Sequence, residues 1–131
     1  MAASAPLVLV VDDVADTRRL MRRVLERAGL GVVEAATGEE ALERIERERP
    51  ALVVLDLRLP GMSGFDVAHW VRTSPDRGIA RTVLLACSAS IQPEVQQQAL
   101  DAGADAFEGK PFDIGRFAAR VRQLLDLPQP G

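Results

Sequence analysis

Five short apolar runs, separated by segments of helical period, constrain the fold of this chain more than anything else in it. They occupy residues 7–11, 32–36, 52–55, 83–87 and, briefly, 104–107. Each is nearly continuous rather than alternating, so each reads as a strand buried on both faces. Between them the pattern changes. Residues 16–28 set Leu20, Met21, Val24, Leu25 and Ala28 on one helical face, and Gly29 suits a C-cap. Thr37-Gly38-Glu39-Glu40 fits a capping box for a helix holding Ala41, Leu42 and Ile45, which Pro50 stops. A third helix is expected over 63–74, with Phe65, Ala68 and Val71 inward. Pro93 opens a fourth and Gly103 closes it; Asp113 caps a fifth, whose apolar face is Ile114, Phe117, Ala118, Val121, Leu124 and Leu125.

Strand and helix alternating in this way imply an α/β fold with a parallel sheet covered on both faces. Right-handed crossovers place every strand's C-terminus on one edge, and the functional crevice of such a sheet lies outside that edge. A chain of 131 residues accommodates one such domain and not two, with a core over about 6–127 and a tail at 128–131. The net charge of −3 supplies no drive toward nucleic acid or an anionic membrane, so neither is expected as a direct partner. No apolar stretch approaches the roughly 20 residues a membrane span needs. The opening MAASAPLVLV lacks the basic start of a secretory signal. Cys87 is the single cysteine, which excludes an internal disulfide and fits a reducing, cytoplasmic setting.

The polar residues at the strand ends carry the chemistry. Asp12 and Asp13 follow the first run, Asp56 the third, Ser88 the fourth, and Lys110 follows the fifth. Asp is a preferred helix cap, so the first pair alone reads as a turn before the next helix. With Asp56 on the same edge, three carboxylates converge and need a cation. Oxygen ligands with room for water suit Mg²⁺, which takes one or two carboxylates plus a phosphate oxygen. An aspartate can itself be a nucleophile and form an aspartyl phosphate. Phosphoryl transfer needs mainly positioning and charge stabilisation, which a metal, a lysine and a hydroxyl together supply.

The pieces "VVDD", "DLRLPGMSG", "LLACSAS" and "GADAFEGKPF" stand in the order and spacing of one family. Along essentially its whole length the chain resembles a response-regulator receiver domain (CheY-like) of two-component signalling. The resemblance implies a flavodoxin-like doubly wound (βα)5 fold with strand order 2-1-3-4-5. It implies Asp56 as phospho-acceptor and Mg²⁺ as cofactor. Asp13 and Asp56 would touch the metal directly, Asp12 through water, and Arg58 through its backbone carbonyl. Ser88 and Lys110 would bind the phosphoryl group, and the Lys110–Pro111 peptide would be cis. Ser88 and Phe107 would form the switch, Phe107 turning inward as Ser88 moves. Ser88 stands where threonine is commoner, and Phe107 where tyrosine is frequent. Phe107 therefore has no hydroxyl to bond when it turns.

By the same resemblance the donor is a sensor histidine kinase or a histidine phosphotransfer protein. Output passes to a downstream protein or a second copy through the face of the fourth helix, fifth strand and fifth helix. The domain is not an enzyme on a separate substrate; it supports its own phosphorylation and slow self-dephosphorylation. One alternative is a receiver segment of a hybrid histidine kinase or larger regulator, toward which "SAS" and "LPQPG" point. Another is a small Mg²⁺-dependent phosphatase with an aspartyl nucleophile. That class places a second Asp two residues on, where this chain has Arg58, and needs a cap that 131 residues do not supply. A nucleotide-binding module is disfavoured by the absence of G-x-x-x-x-G-K-[ST] and G-x-G-x-x-G. A DNA-binding effector domain does not fit after Leu127. Cys87 reads as a small buried hydrophobe, His69 as solvated, and Gln96 to Gln98 as polar helix surface. The arginines at 18, 19, 22, 23 and 27 read as a solvated face, with donor docking as the functional alternative.

Overall fold

Burial on two sides is what makes the apolar runs into strands. In the computed structural model, which describes residues 5–110 and 113–127, they form β1 (Leu7–Val11), β2 (Gly31–Ala35), β3 (Leu52–Asp56), β4 (Val83–Ser88) and β5 (Ala106–Gly109). Between and after them lie α1 (Ala15–Arg27), α2 (Gly38–Glu48), α3 (Gly64–Arg72), a single turn α4 (Arg77–Ala80), α5 (Pro93–Ala102) and α6 (Ile114–Leu124). The sheet order is β2-β1-β3-β4-β5, with every pair parallel. Successive side chains point to opposite faces. Val8, Val10, Leu52, Val54, Leu85 and Cys87 therefore pack under Met21 and Leu25 of α1 and Phe117 and Val121 of α6. Leu9, Val11, Val53 and Leu55 pack under Ala41 and Ile45 of α2 and Val67, Ala68 and Val71 of α3. The α5 side closes over Leu57 and Ala86 with Ala99 and Ala104. This is the doubly wound α/β arrangement expected.

Several boundaries moved, each for a local reason. Residues 104–105 are not strand. Gly103, at φ +117°, turns the chain out of α5, and the Asp105 carboxylate accepts the Leu84 N–H, so β5 begins at Ala106. Thr37 caps α2 by accepting from Glu40 N, but Glu40 reaches back to Ala36 N rather than to the cap residue, so the box is half formed. A complete reciprocal box stands at α3, where Ser63 and Asp66 satisfy each other's backbone N–H groups. The α4 turn was not anticipated; Asp76 initiates it by accepting from Gly78 N and Ile79 N. The Lys110–Pro111 peptide and the tail at 128–131 lie outside the described residues. Among the described residues no helix is long and apolar enough to cross a membrane.

The arginines of α1 are not one solvated face. Arg18 and Arg22 both pair with Glu34 of β2, Arg22 also donating to the Val32 carbonyl at 2.9 Å. Burial pushes the Glu34 carboxyl up, but the two guanidiniums outweigh this and hold it below the usual range. These contacts fasten α1 to an edge strand. Arg19, Arg23 and Arg27 remain exposed, as does His69. Cys87 is fully buried, and that burial pushes its thiol far up, which keeps it an inert packing group.

Candidate functional site

Because β1, β3 and β4 run parallel in register, their C-terminal residues arrive side by side. Val11 pairs with Leu55 and Asp56 with Cys87, so Asp12, Asp56 and Ser88 stand together at the edge. Asp12 is 0% exposed, Asp56 6% and Ser88 2%, while Asp13 is exposed at the rim. Asp12, Asp13 and Asp56 each present a carboxylate oxygen within 4.8 Å of the others. Lys110, one residue beyond β5, is held there by its own N–H to the Ser88 carbonyl at 2.9 Å. Its ammonium donates to Asp12 Oδ2 at 2.5 Å and to Asp56 Oδ2 at 3.0 Å.

Each buried oxygen has a partner. Asp12 Oδ1 accepts the Val14 N–H at 2.9 Å, and Asp56 Oδ1 accepts the Arg58 N–H at 3.0 Å. Asp12 thus makes the turn before α1 without being its cap, which falls on Val14 with no side-chain bond. Burial holds the Asp56 carboxyl above the ordinary carboxylate range, against the opposing pull of Arg58 N–H and Lys110. Burial works to lower Lys110, but the bonds to Asp12 and Asp56 prevail and hold it above its ordinary value. One ammonium faces three carboxylates, so a cation is the natural complement. Two oxygens on one Mg²⁺ are at most about 4.2 Å apart, twice the metal–oxygen distance. The 4.8 Å spread accommodates that with small side-chain adjustment, and the donor set fits the metal.

Ser88 Oγ accepts the Ser90 N–H at 3.1 Å, the local strand-end bond common for serine. Phe107 is half-buried against Leu57, Ala86, Ala99 and Ala104. Arg58 brings its backbone to the site while its side chain is exposed. Two residues that the sequence reading passed over lie at the opposite end of the strands from these acids. Arg72 and Asp105 pair at 2.5 Å beside the entrance to β5. The only signal for them was an acid two positions before the aromatic of the fifth strand.

The loop after Asp56 is set by backbone packing. Gly64 N donates to the Leu57 carbonyl at 3.1 Å, and a Cβ on Gly64 would lie 2.3 Å from the Asp56 carbonyl oxygen and 2.7 Å from Leu57 Cα. Neither neighbour can rotate away. Gly64→Ala is therefore expected to cost about 3 kcal/mol or more of stability by urea unfolding, as overpacking against fixed backbone does. Gly109→Ala is the control. Its Cβ would meet Ile91 Cγ2 at 2.5 Å, the end of an exposed, movable side chain, and the loss should be small. Equal losses would mean that the loop yields where the contacts say it cannot.

Residues 8–122 match the family model described as the response regulator receiver domain. Among curated relatives, the transcriptional regulatory protein KdpE of Mycobacterium tuberculosis is 40% identical over 119 residues, covering 91% of this chain and 50% of the relative. Response regulator MprA of Mycobacterium leprae is 37% identical over 123 residues, covering 94% and 52%. The chain thus spans about half the length of these relatives. Among solved structures, a putative response regulator from Chloroflexus aurantiacus superposes with a TM-score of 0.86 at 30% identity, covering 93% of this chain and 98% of that one. Chemotaxis protein CheY4 of Vibrio cholerae gives 0.85 at 28% identity, covering 92% and 98%. With the parallel sheet, the acidic edge and the lysine already placed, the chain belongs to the response regulator receiver domains of two-component signalling.

Proposed function

We propose that Asp56 accepts a phosphoryl group from a phosphohistidine, and that the modified domain binds a partner differently. The observation that carries this is the convergence of a buried aspartate, an ammonium 3.0 Å away and two further acids at one sheet edge. An Asp56 carboxylate oxygen attacks phosphorus, forming an O–P bond. The P–N bond to the donor imidazole breaks, its electron pair stays on nitrogen, and that nitrogen takes a proton from solvent. Asp12, Asp13, Asp56 and the Arg58 carbonyl would hold Mg²⁺, which when bound neutralises charge on the phosphoryl oxygens. Lys110 supplies a charge-assisted bond to the transferred group, and Ser88 a hydroxyl bond once its hydroxyl leaves Ser90. The Arg58 N–H keeps the acceptor carboxylate oriented.

The new charge at the edge then biases the Ser88 and Phe107 positions and, with them, the α5-β5-α6 face. Phe107 in its inward state rests on packing alone. That face carries opposite charges on neighbouring helices. Glu94 and Asp101 are exposed on α5, and Arg116 is exposed on α6. A downstream protein or a second copy meets it there, with the donor a cytoplasmic histidine kinase or phosphotransfer protein. The half-length coverage of the relatives supports a second reading of the setting: this chain is the receiver part of a larger regulator, with nucleic acid contacted by another segment. Acetyl phosphate tests the central step. One acyl phosphate per chain, stable in acid and lost to hydroxylamine, should form with Mg²⁺ and fall at least about tenfold without it. Labelling indifferent to Mg²⁺ would sink the metal assignment, and no labelling the acceptor.

A further inference from the structure

We infer that Arg72 and Asp105 are positioning residues for Lys110, because they pin the register of the strand that delivers it. The inference rests on the roles given above to Asp56 and Lys110. β5 is four residues long and lies at the outer edge of the sheet. Register is strongly specified only where side chains commit to a face, and a slip of one residue turns every side chain over. β5 offers little such commitment. Ala106 packs toward α6 and Phe107 toward α5, Gly109 has no side chain, and Glu108 makes one long contact with Arg120 at 3.7 Å. Two apolar residues, one of them alanine, hold an edge strand weakly. A slip would put Phe107 on the α6 face and carry Lys110 away from Asp12 and Asp56.

What supplies the missing specification is polar. Asp105 N donates to the Leu84 carbonyl at 2.9 Å, and Asp105 Oδ2 accepts the Leu84 N–H at 2.8 Å. The same Oδ2 accepts from Arg72 Nη2 at 2.5 Å. Arg72 Nη1 is anchored on the carbonyls of Ala80 at 2.9 Å and Thr82 at 2.7 Å. The guanidinium thus ties the end of α3 to both sides of the β4 entrance and holds the carboxylate that occupies Leu84. Gly103 gives it room, since a Cβ there would fall 2.3 Å from Arg72 Cγ. Arg72 is distant in the chain from every acid of the site, and its mapped bonds go to none of them. An effect that it exerts along β5 therefore depends on Lys110.

The test is a mutant cycle on the affinity for beryllium trifluoride, a phosphoryl mimic, measured calorimetrically at saturating Mg²⁺. Lys110→Ala should weaken binding tenfold or more, and Arg72→Ala about fivefold, and the two together no more than Lys110→Ala alone, because residues acting through one another do not add. Mg²⁺ affinity without the anion should hold or rise in Arg72→Ala, because withdrawing Lys110 leaves Asp12 and Asp56 more negative, whereas general loosening of the site would lower it. Asp105→Asn keeps an acceptor for Leu84 N and loses only the ion pair. It should show the same dependence on Lys110 and decides the matter if Arg72→Ala does not fold. Losses that add fully to that of Lys110→Ala would overturn the inference alone. Lys110→Ala binding the anion as tightly as wild type would overturn both it and the role of Lys110.

Discussion

Asp56→Asn should take up no label from acetyl phosphate, while keeping its fold and gaining stability at neutral pH. The amide fills the same space but lacks the nucleophilic oxygen, so the acyl phosphate cannot form. Label appearing instead at Asp12 or Asp13 would reassign the acceptor. The stability gain follows from burial. The folded protein holds the Asp56 carboxyl above its ordinary value of 3.8, so it binds that proton more tightly than the unfolded chain does. The sign is then set by linkage. This contribution is fully present below the unfolded value and lost as pH rises through the folded one, so at pH 7 the wild type lacks it. An asparagine has no such proton to lose. The variant should be more stable than wild type at pH 7 in metal-free buffer. The difference should shrink or reverse as pH falls below 4. Denaturant unfolding at several pH values checks both limbs. A variant less stable than wild type at pH 7 would mean that the Lys110 bond outweighs the cost of burial.

Lys110→Ala should do the opposite, and the loss should be recovered by metal. Lys110 is 20% exposed in its side chain and contacts Asp12 and Asp56, which are otherwise buried without a cation. Removing one partner of a buried ion pair typically costs about 3–5 kcal/mol, because the remaining charge stays desolvated. Here two carboxylates are left behind. A divalent ion that binds only the folded chain stabilises it by about 2.7 kcal/mol at a hundred times its dissociation constant. The variant's carboxylate set is more negative than the wild type's, so its gain in Tm with millimolar Mg²⁺ should exceed the wild-type gain. Thermal melts of both proteins in chelator and in Mg²⁺ decide this. Equal gains would mean that the lysine does not neutralise the acids the metal uses.

The fold was legible because its information is local and periodic. Each of the β1, β3 and β4 runs is continuous enough to demand burial on both faces, and the helices between them show one apolar stripe each. The candidate site was legible for a related reason. In a parallel sheet the residue after each strand must arrive at the same edge, so Asp12, Asp56, Ser88 and Lys110 could be grouped before any distance was known. Strand order was not legible from pattern; it came with the resemblance to a family.

What tertiary structure alone decided are the contacts between residues far apart in the chain, where nothing periodic marks the partner. Arg18 and Arg22 turned from a surface run into a fastening for β2 because Glu34 lies opposite them across α1. Ser63 and Asp66, rather than Thr37 and Glu40, close the reciprocal cap, because Glu40 spans to Ala36 instead. The start of β5 moved two residues along because a carboxylate 21 positions from Leu84 satisfies its amide. Lys110 bonds Asp12 across 98 residues, at a distance only the closed sheet could set. Composition and period determine which segments must be buried and how they alternate. Which polar group finds which partner depends on the packed geometry, because a buried donor takes whichever acceptor folding has brought within reach.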